Sequence, residues 1–219
     1  MRGRLLAGIL LAVVACARPA TAQDVVDGVI AVAGERPLMW SDVLFEAELR
    51  RIEESGGRQV NLEPTEPDRA VIEAVIEREL ILQEVGGEVL ASEEAVNRRL
   101  EAFLDRFEEV EDLTRWLQRW RISTRELRAH FGEDLRASTY AERRLSRAIR
   151  LADKEVREAY VRDPERWAGQ SFAEVQETLR LELWDQRYEE QWRRWMDGIR
   201  EKRGVRYTEL GRGLFGGLP

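Results

Sequence analysis

The chain is poor in the residues that most enzymes and metal centres use. Its 219 residues hold one cysteine, Cys16, and one histidine, His130. Cys16 lies ahead of the first strand-like segment, so the expected folded part has no thiol for a disulfide, a thiolate metal site or a nucleophile. A single imidazole cannot pair with a cysteine or supply the second nitrogen of a histidine metal site. A lone histidine in a charged amphipathic helix is ordinarily solvated surface or satisfied core. No apolar run reaches the ~20 residues of a membrane-spanning helix. There is no basic excess either: 35 Lys and Arg stand against 42 Asp and Glu, a net charge of −7, which argues against a phosphate backbone as partner. Gly34, Gly56-Gly57 and Gly86-Gly87 make no phosphate-binding fingerprint, because none follows a strand and opens a helix within a βαβ unit. No internal repeat is present.

What is present begins with a targeting pattern. Arg2 and Arg4 precede an apolar stretch over Leu5–Ala15, and Ala20-Thr21-Ala22 has the small-x-small form of a cleavage site. The pattern predicts a signal peptide over residues 1–22, a mature chain from Gln23 and export. Val13-Val14-Ala15-Cys16 also has the form of a lipoprotein box, so a form anchored through Cys16 is the alternative. Loss of Arg2, Arg4 and Arg18 takes the net charge from −7 to −10. Interspersed arginines in an acidic chain predict a soluble, helix-rich surface.

The segment Val25–Asp42 then reads as strand, tight turn at Gly34, a second extended stretch at Pro37 and a helix cap at Ser41-Asp42. Apolar periodicity predicts helices over Asp42–Glu54 and Pro67–Val85, with Val71, Ile72, Val75, Ile76, Leu80 and Leu82 on one face of the second. Ser92 is expected to cap a third helix whose inner face is Leu100, Phe103, Leu104 and Phe107. A short helix carries Leu113, Trp116, Leu117 and Trp120. Ser123-Thr124-Arg125-Glu126 and Ser171-Phe172-Ala173-Glu174 are capping boxes, opening long helices towards Ile149 and Lys202, with a further helix over Asp153–Tyr160 between them. Val205–Thr208 has the look of a terminal strand, and residues 211–219 that of a flexible tail. The fold class expected is mainly α, with a small β element in which the N-terminal hairpin pairs with the C-terminal strand. Residues 23–210 are expected to form a single domain, in an N-terminal block (23–150) and a C-terminal helix and strand (151–210).

Carboxylates are abundant but interleaved with arginine, as in Glu142-Arg143-Arg144 and Arg187-Tyr188-Glu189-Glu190, which is what surface pairing at helical spacing produces. No catalytic, cofactor-binding or metal-binding residue is assigned. Seven tryptophans are the enriched feature with binding potential, since flat aromatic surfaces make sequence-tolerant contacts with apolar peptide. Trp116, Trp120, Trp192 and Trp195 lie at core-filling helical spacing. Trp184 is off the main stripe and Trp167 is in a loop, so these two are the better candidates for exposure. The peptide-binding candidates are Trp167, Trp184, Trp116 and Trp120.

The hairpin, the Ser41-Asp42 cap, the Ala74–Glu84 helix, the following Ser92-Glu93-Glu94-Ala95-Val96 and the long C-terminal helix with its strand together resemble the N-terminal domain of SurA-type periplasmic chaperones. That resemblance covers nearly the whole mature chain. Parvulin-type isomerase domains, which such proteins often insert, need roughly a hundred residues. Only the stretch between Tyr160 and Ser171 is available here, so the insertion is expected to be absent. The resemblance implies a non-enzymatic, ATP-independent periplasmic chaperone that holds unfolded or extended polypeptide clients, such as outer-membrane proteins in transit. Alternatives are an assembly module for one dedicated envelope partner and a degenerate peptidyl-prolyl isomerase relative. Neither nucleic acid nor an integral membrane segment is expected.

Overall fold

Strand β1, Val29–Ala33, is the centre of a three-stranded antiparallel sheet, between Arg36–Met39 and Val205–Tyr207. The computed structural model describes residues 27–55, 67–85 and 90–215. The expected signal peptide with Cys16, the start at Gln23, Val25-Val26, Gly56-Gly57, the proline-bearing loop up to residue 66, Gly86-Gly87 and residues 216–219 lie outside these.

A turn at Gly34-Glu35 leads into β2, Arg36–Met39. Gly34 has φ +60°, where a side chain is strained. The Gln83 carboxamide closes over the turn. Its Oε1 accepts from the Glu35 N–H at 3.3 Å, and its Nε2 donates to the Ala33 carbonyl at 2.9 Å. On the other side of β1 lies β3, Val205–Tyr207, with Val32 opposite Arg206. The N-terminal hairpin and the C-terminal strand therefore share one sheet, and the protein is mainly α-helical around it.

Helix α1, Trp40–Glu54, starts two residues before the expected first residue, Asp42, which sits in its first turn and accepts from the Met39 N–H at 2.9 Å. Ser41 donates instead to Asp27 at 2.7 Å. Helix α2, Arg69–Glu84, is capped by Asp68, whose Oδ1 accepts from the Val71 N–H. Helices α3, Glu93–Leu104, and α4, Val110–Trp120, follow. The Ser123 capping box opens α5, Thr124–Ala148. Helix α6 is Asp153–Arg162, and α7, Phe172–Arg203, begins at the Ser171 box. A further helix, α8, covers Glu209–Phe215. The expectation of a flexible tail is thus corrected over residues 211–215. The Thr208 hydroxyl accepts from the Gly211 N–H at 3.1 Å, and Gly211 packs so close to β1 that a Cβ there would lie 2.1 Å from the Ile30 carbonyl oxygen.

Three apolar clusters hold these elements. The first joins the sheet to α2, α5 and α7, through Ile30, Leu38, Ile76, Leu80, Ala141 and Met196. The second is aromatic and joins α1, α3, α4 and α5, through Leu49, Phe103, Trp116, Leu127 and Phe131. Phe103 lies 5.1 Å from Trp116 and 5.6 Å from Phe131, ring centre to ring centre. The third is small: Val156, Trp167, Val175 and Leu179 bind α6 to the first half of α7 as a helical arm. Burying each such side chain contributes about 1.5–3 kcal/mol, so the two larger clusters carry most of the stability. Only Asp163 to Ser171 connects α6 to α7, so no inserted domain stands there. No helix among the described residues is long and apolar enough to cross a membrane.

Candidate functional site

Helices α1, α2 and α5 enclose a cleft of about 400 Å³, with Trp192 of α7 on its wall and an ion network as its floor. The network centres on Arg78, because α2 presents it inward between apolar turns. Its Nη1 donates to Asp134 Oδ1 at 2.9 Å and Glu46 Oε2 at 3.0 Å, and lies 3.2 Å from His130 Nε2. Arg50 Nε donates to Glu46 at 2.8 Å. Arg99 grips Glu53 with two hydrogen bonds of 2.8 and 3.0 Å, reaches Asp134 Oδ2 at 3.1 Å and stacks 4.5 Å over the Phe131 ring. Such planar, two-point pairing is what guanidinium does better than ammonium.

Burial alone would raise the Glu46 carboxyl. The hydrogen bond with His130, the Arg78 charge and the Arg50 hydrogen bond outweigh it and hold the group at about 2. Burial would lower Arg78, but Asp134, Glu46 and Glu79 together push it up, so the guanidinium stays charged. Glu48, Glu77 and Glu79 go the other way: burial raises each, and the arginines Arg119, Arg200 and Arg78 offset it only in part.

Glu46, His130 and Asp134 bring their donor atoms within 4.8 Å of one another, a spacing that suits a cation. The cation in that position is Arg78 itself, hydrogen-bonded to both carboxylates and set against the imidazole nitrogen. His130 Nε2 can accept from Arg78 or donate to Glu46, 3.4 Å away, but not both. A carboxylate held near 2 is also a weak base at neutral pH. The network is thus a set of mutually neutralised charges, which fixes α1, α2, α3 and α5 against one another.

The cleft wall continues as a row of aromatic rings along α7. Trp184 stacks on Tyr188 at 5.2 Å and 24°, Tyr188 on Trp192 at 6.4 Å and 22°, and Trp192 meets Trp195 edge-on at 5.7 Å. Tyr140 of α5 closes the row 6.0 Å from Trp195. All five residues are half-buried. From Trp184 to Trp195 the row runs about 17 Å along the helix.

No protein-family model, curated protein or solved structure matches this chain.

The four expected tryptophans are not brought together. Trp116 is 0 % exposed and Trp167 8 %, so both are core residues, in the aromatic cluster and the arm respectively. Trp167 sits in a turn as expected, yet the turn folds its ring under α7, with Arg166 stacked over it. Trp120 is half-buried, donates its indole N–H to Glu48 at 3.0 Å and packs edge-on to Phe45. Only Trp184 lies in the row. Trp192, Trp195, Tyr188 and Tyr140 complete it, two of these having been read as core at helical spacing. The ion network departs from the expectation that carboxylates interleaved with arginine form solvated faces. Glu46, Glu48 and Glu79 are instead 4 %, 2 % and 2 % exposed. For Glu79 a signal existed: it interrupts the apolar face Ile72–Leu82.

Proposed function

We propose that the protein is an ATP-independent chaperone of the cell envelope, exported by its N-terminal signal, that holds unfolded polypeptide segments against the aromatic row of α7. Outer-membrane proteins in transit are the client class that the SurA-type resemblance suggests. The observation that carries the reading is the row Trp184, Tyr188, Trp192 and Trp195: stacked, half-open and bordering a cleft. A stretch of about 17 Å accommodates roughly five residues of extended chain at ~3.3 Å each. Stacked rings offer flat apolar area without demanding a particular sequence. The charges of the floor are engaged with one another, and capture and release is the activity that this geometry supports best. Affinity is expected to be on the order of micromolar, because ordering a flexible client offsets much of the contact energy.

The test is light scattering of a denatured outer-membrane protein diluted with and without the protein, at low and high salt. Suppression of aggregation that survives salt, and is lost in a Trp184→Ala/Trp192→Ala double variant, supports the reading, since apolar contacts are not screened as charges are. No suppression at several-fold molar excess overturns it and leaves a module for one dedicated partner as the better account.

A further inference from the structure

A second groove opens where the last turns of α5 face α7, and its charges are not balanced. Arg144 and Arg147 line it from α5, and Arg194, Gln191 and Trp195 from α7; none of the residues lining this groove is a carboxylate. In the cleft above, by contrast, Arg50, Arg78 and Arg99 are all hydrogen-bonded to carboxylates. Neither Arg144 nor Arg147 has a carboxylate within ion-pair distance among the described residues. Arg194 has only Glu190, on its own helix and 3.8 Å away, with both side chains largely in solvent. Two guanidinium groups without a carboxylate and a third held by one exposed pair thus share this groove in a chain of net charge −7.

The arrangement is also oriented. The Arg144 guanidinium lies over the Trp195 ring, 5.6 Å from its centre. A guanidinium carries five N–H donors, so one held beside a ring still has donors for an acceptor, and two of them can meet one carboxylate. Trp195 is at the same time the last ring of the aromatic row. A chain segment lying along the row therefore arrives at these arginines.

We infer that this groove selects among clients: it takes the acidic residues of a segment whose aromatic residues lie on the α7 row. The inference rests on the peptide-capture reading and adds the charge class of the segment. Long-range charge alone would favour basic clients, so a local preference for acidic ones separates the groove from the overall field.

The experiment is fluorescence anisotropy with labelled peptides of identical aromatic content, carrying Glu, Gln or Lys at the remaining positions, at about 0.05 M and 0.5 M salt. The Glu peptide is expected to bind roughly tenfold tighter than the Gln peptide at low salt, as two or three exposed ion pairs allow, and equally at high salt. Arg147→Gln/Arg194→Gln should remove most of the difference while leaving the Gln peptide unchanged, and Arg147→Glu/Arg194→Glu should favour the Lys peptide. Circular dichroism melts of each variant confirm folding. If the Gln peptide binds and the Glu peptide binds no tighter, the inference fails and the capture reading stands. If no peptide binds, both fail. Tighter binding of an oligothymidine of matched charge would overturn the carboxylate assignment.

Discussion

In the body of the protein, Phe131 is fully buried among Phe103, Leu127, Leu49 and Trp116; in the arm, Leu179 shares its cluster with only three other buried residues, Val156, Trp167 and Val175. The charges differ in the same way. The body buries its ion pairs, with Glu46, Glu48 and Glu79 almost inaccessible. The arm is tied by Arg180–Asp153, Arg166–Glu182 and Arg187–Glu155, whose side chains are all partly open to solvent. Exposed pairs of this kind contribute about 0–1 kcal/mol each. The same alphabet of arginine and glutamate is thus structural in one region and nearly neutral in the other. The aromatic row lies at the junction, on the stretch of α7 that leaves the body for the arm. The proposed client surface would there rest on the larger core and meet a neighbour with few buried apolar contacts, which is where motion that admits a client is least costly.

The sharpest test of this contrast is cavity formation. Phe131→Ala is expected to lower global stability by about 3–5 kcal/mol, because the aromatic cluster cannot collapse around the void. Leu179→Ala should lower the midpoint of the main unfolding transition far less, while amide exchange in α6 and the start of α7 speeds up. Denaturant melts with exchange mass spectrometry decide the matter. Equal losses of global stability for the two variants would make arm and body one cooperative unit.

Acid titration probes the charges. Glu46 has its carboxyl at about 2 in the folded protein against an ordinary 4.5, so its partners contribute about 3 kcal/mol. Because the folded group is the more acidic, that contribution is whole above the ordinary value, is lost as pH falls and is gone below about 2. Glu48, Glu77 and Glu79, raised by burial, act oppositely: their contribution is present in acid and is lost as pH rises through their folded pKa values. The wild type should lose stability between pH ~5 and ~2. Glu46→Gln should flatten that loss, and Glu79→Gln should remove the gain in stability that comes as pH falls from neutral towards 4.5. Urea melts across this range check both, and an unchanged slope in Glu46→Gln would show that the acid response comes from elsewhere.

Backbone contact supplies a pair of smaller effects at the base of the sheet. Gly211→Ala puts a methyl group 2.1 Å from the Ile30 carbonyl oxygen, whereas Gly213→Ala meets nothing within 4 Å. The first should destabilise by about 1–3 kcal/mol by pushing α8 off β1. The second should stabilise by about 0.5–1 kcal/mol, since alanine gives up less chain freedom in a helix. Thermal melts of the two single variants test this, and a neutral Gly211→Ala would mean that α8 does not seat on β1.

Which features could be read in the sequence follows from the range of the interaction. The caps at Ser92, Ser123 and Ser171 depend on neighbours three residues away, and the helices begin there. The pairing of β1 with β3 joins segments far apart in the chain. It could be anticipated because Val205–Tyr207 has no strand beside it in sequence, and an unpaired strand leaves its backbone groups unsatisfied. The network around Arg78 could not. Arg78, Asp134, Glu46 and Arg99 come from four helices, and nothing in a run of arginine and glutamate tells which pair turns inward. Trp167 misled for a related reason: a loop position predicts exposure of the backbone, while its ring tucked beneath α7. Helix α8 was missed because Gly211 and Gly213 argue against helix, and its support comes from contact with β1 rather than from propensity.

The caps provide the finest comparison, since the same device serves both regions. The Ser123 hydroxyl accepts from the Glu126 N–H at 3.2 Å, while Glu126 accepts in return from the Ser123 N–H at 2.7 Å. Glu174 accepts from the Ser171 N–H at 2.6 Å in the corresponding way. In α5 the first turn is tied to the aromatic cluster through Leu127 and cannot fray without disturbing it. Ser123→Ala should therefore register globally, at about 1 kcal/mol. In α7 the first turn belongs to the arm, so Ser171→Ala should leave the global midpoint nearly unchanged and instead raise exchange of the amides from Phe172 to Val175. A global loss for Ser171→Ala as large as that for Ser123→Ala would couple the start of α7 to the body across the length of the arm. The low-stability neighbour invoked for client entry would then be gone.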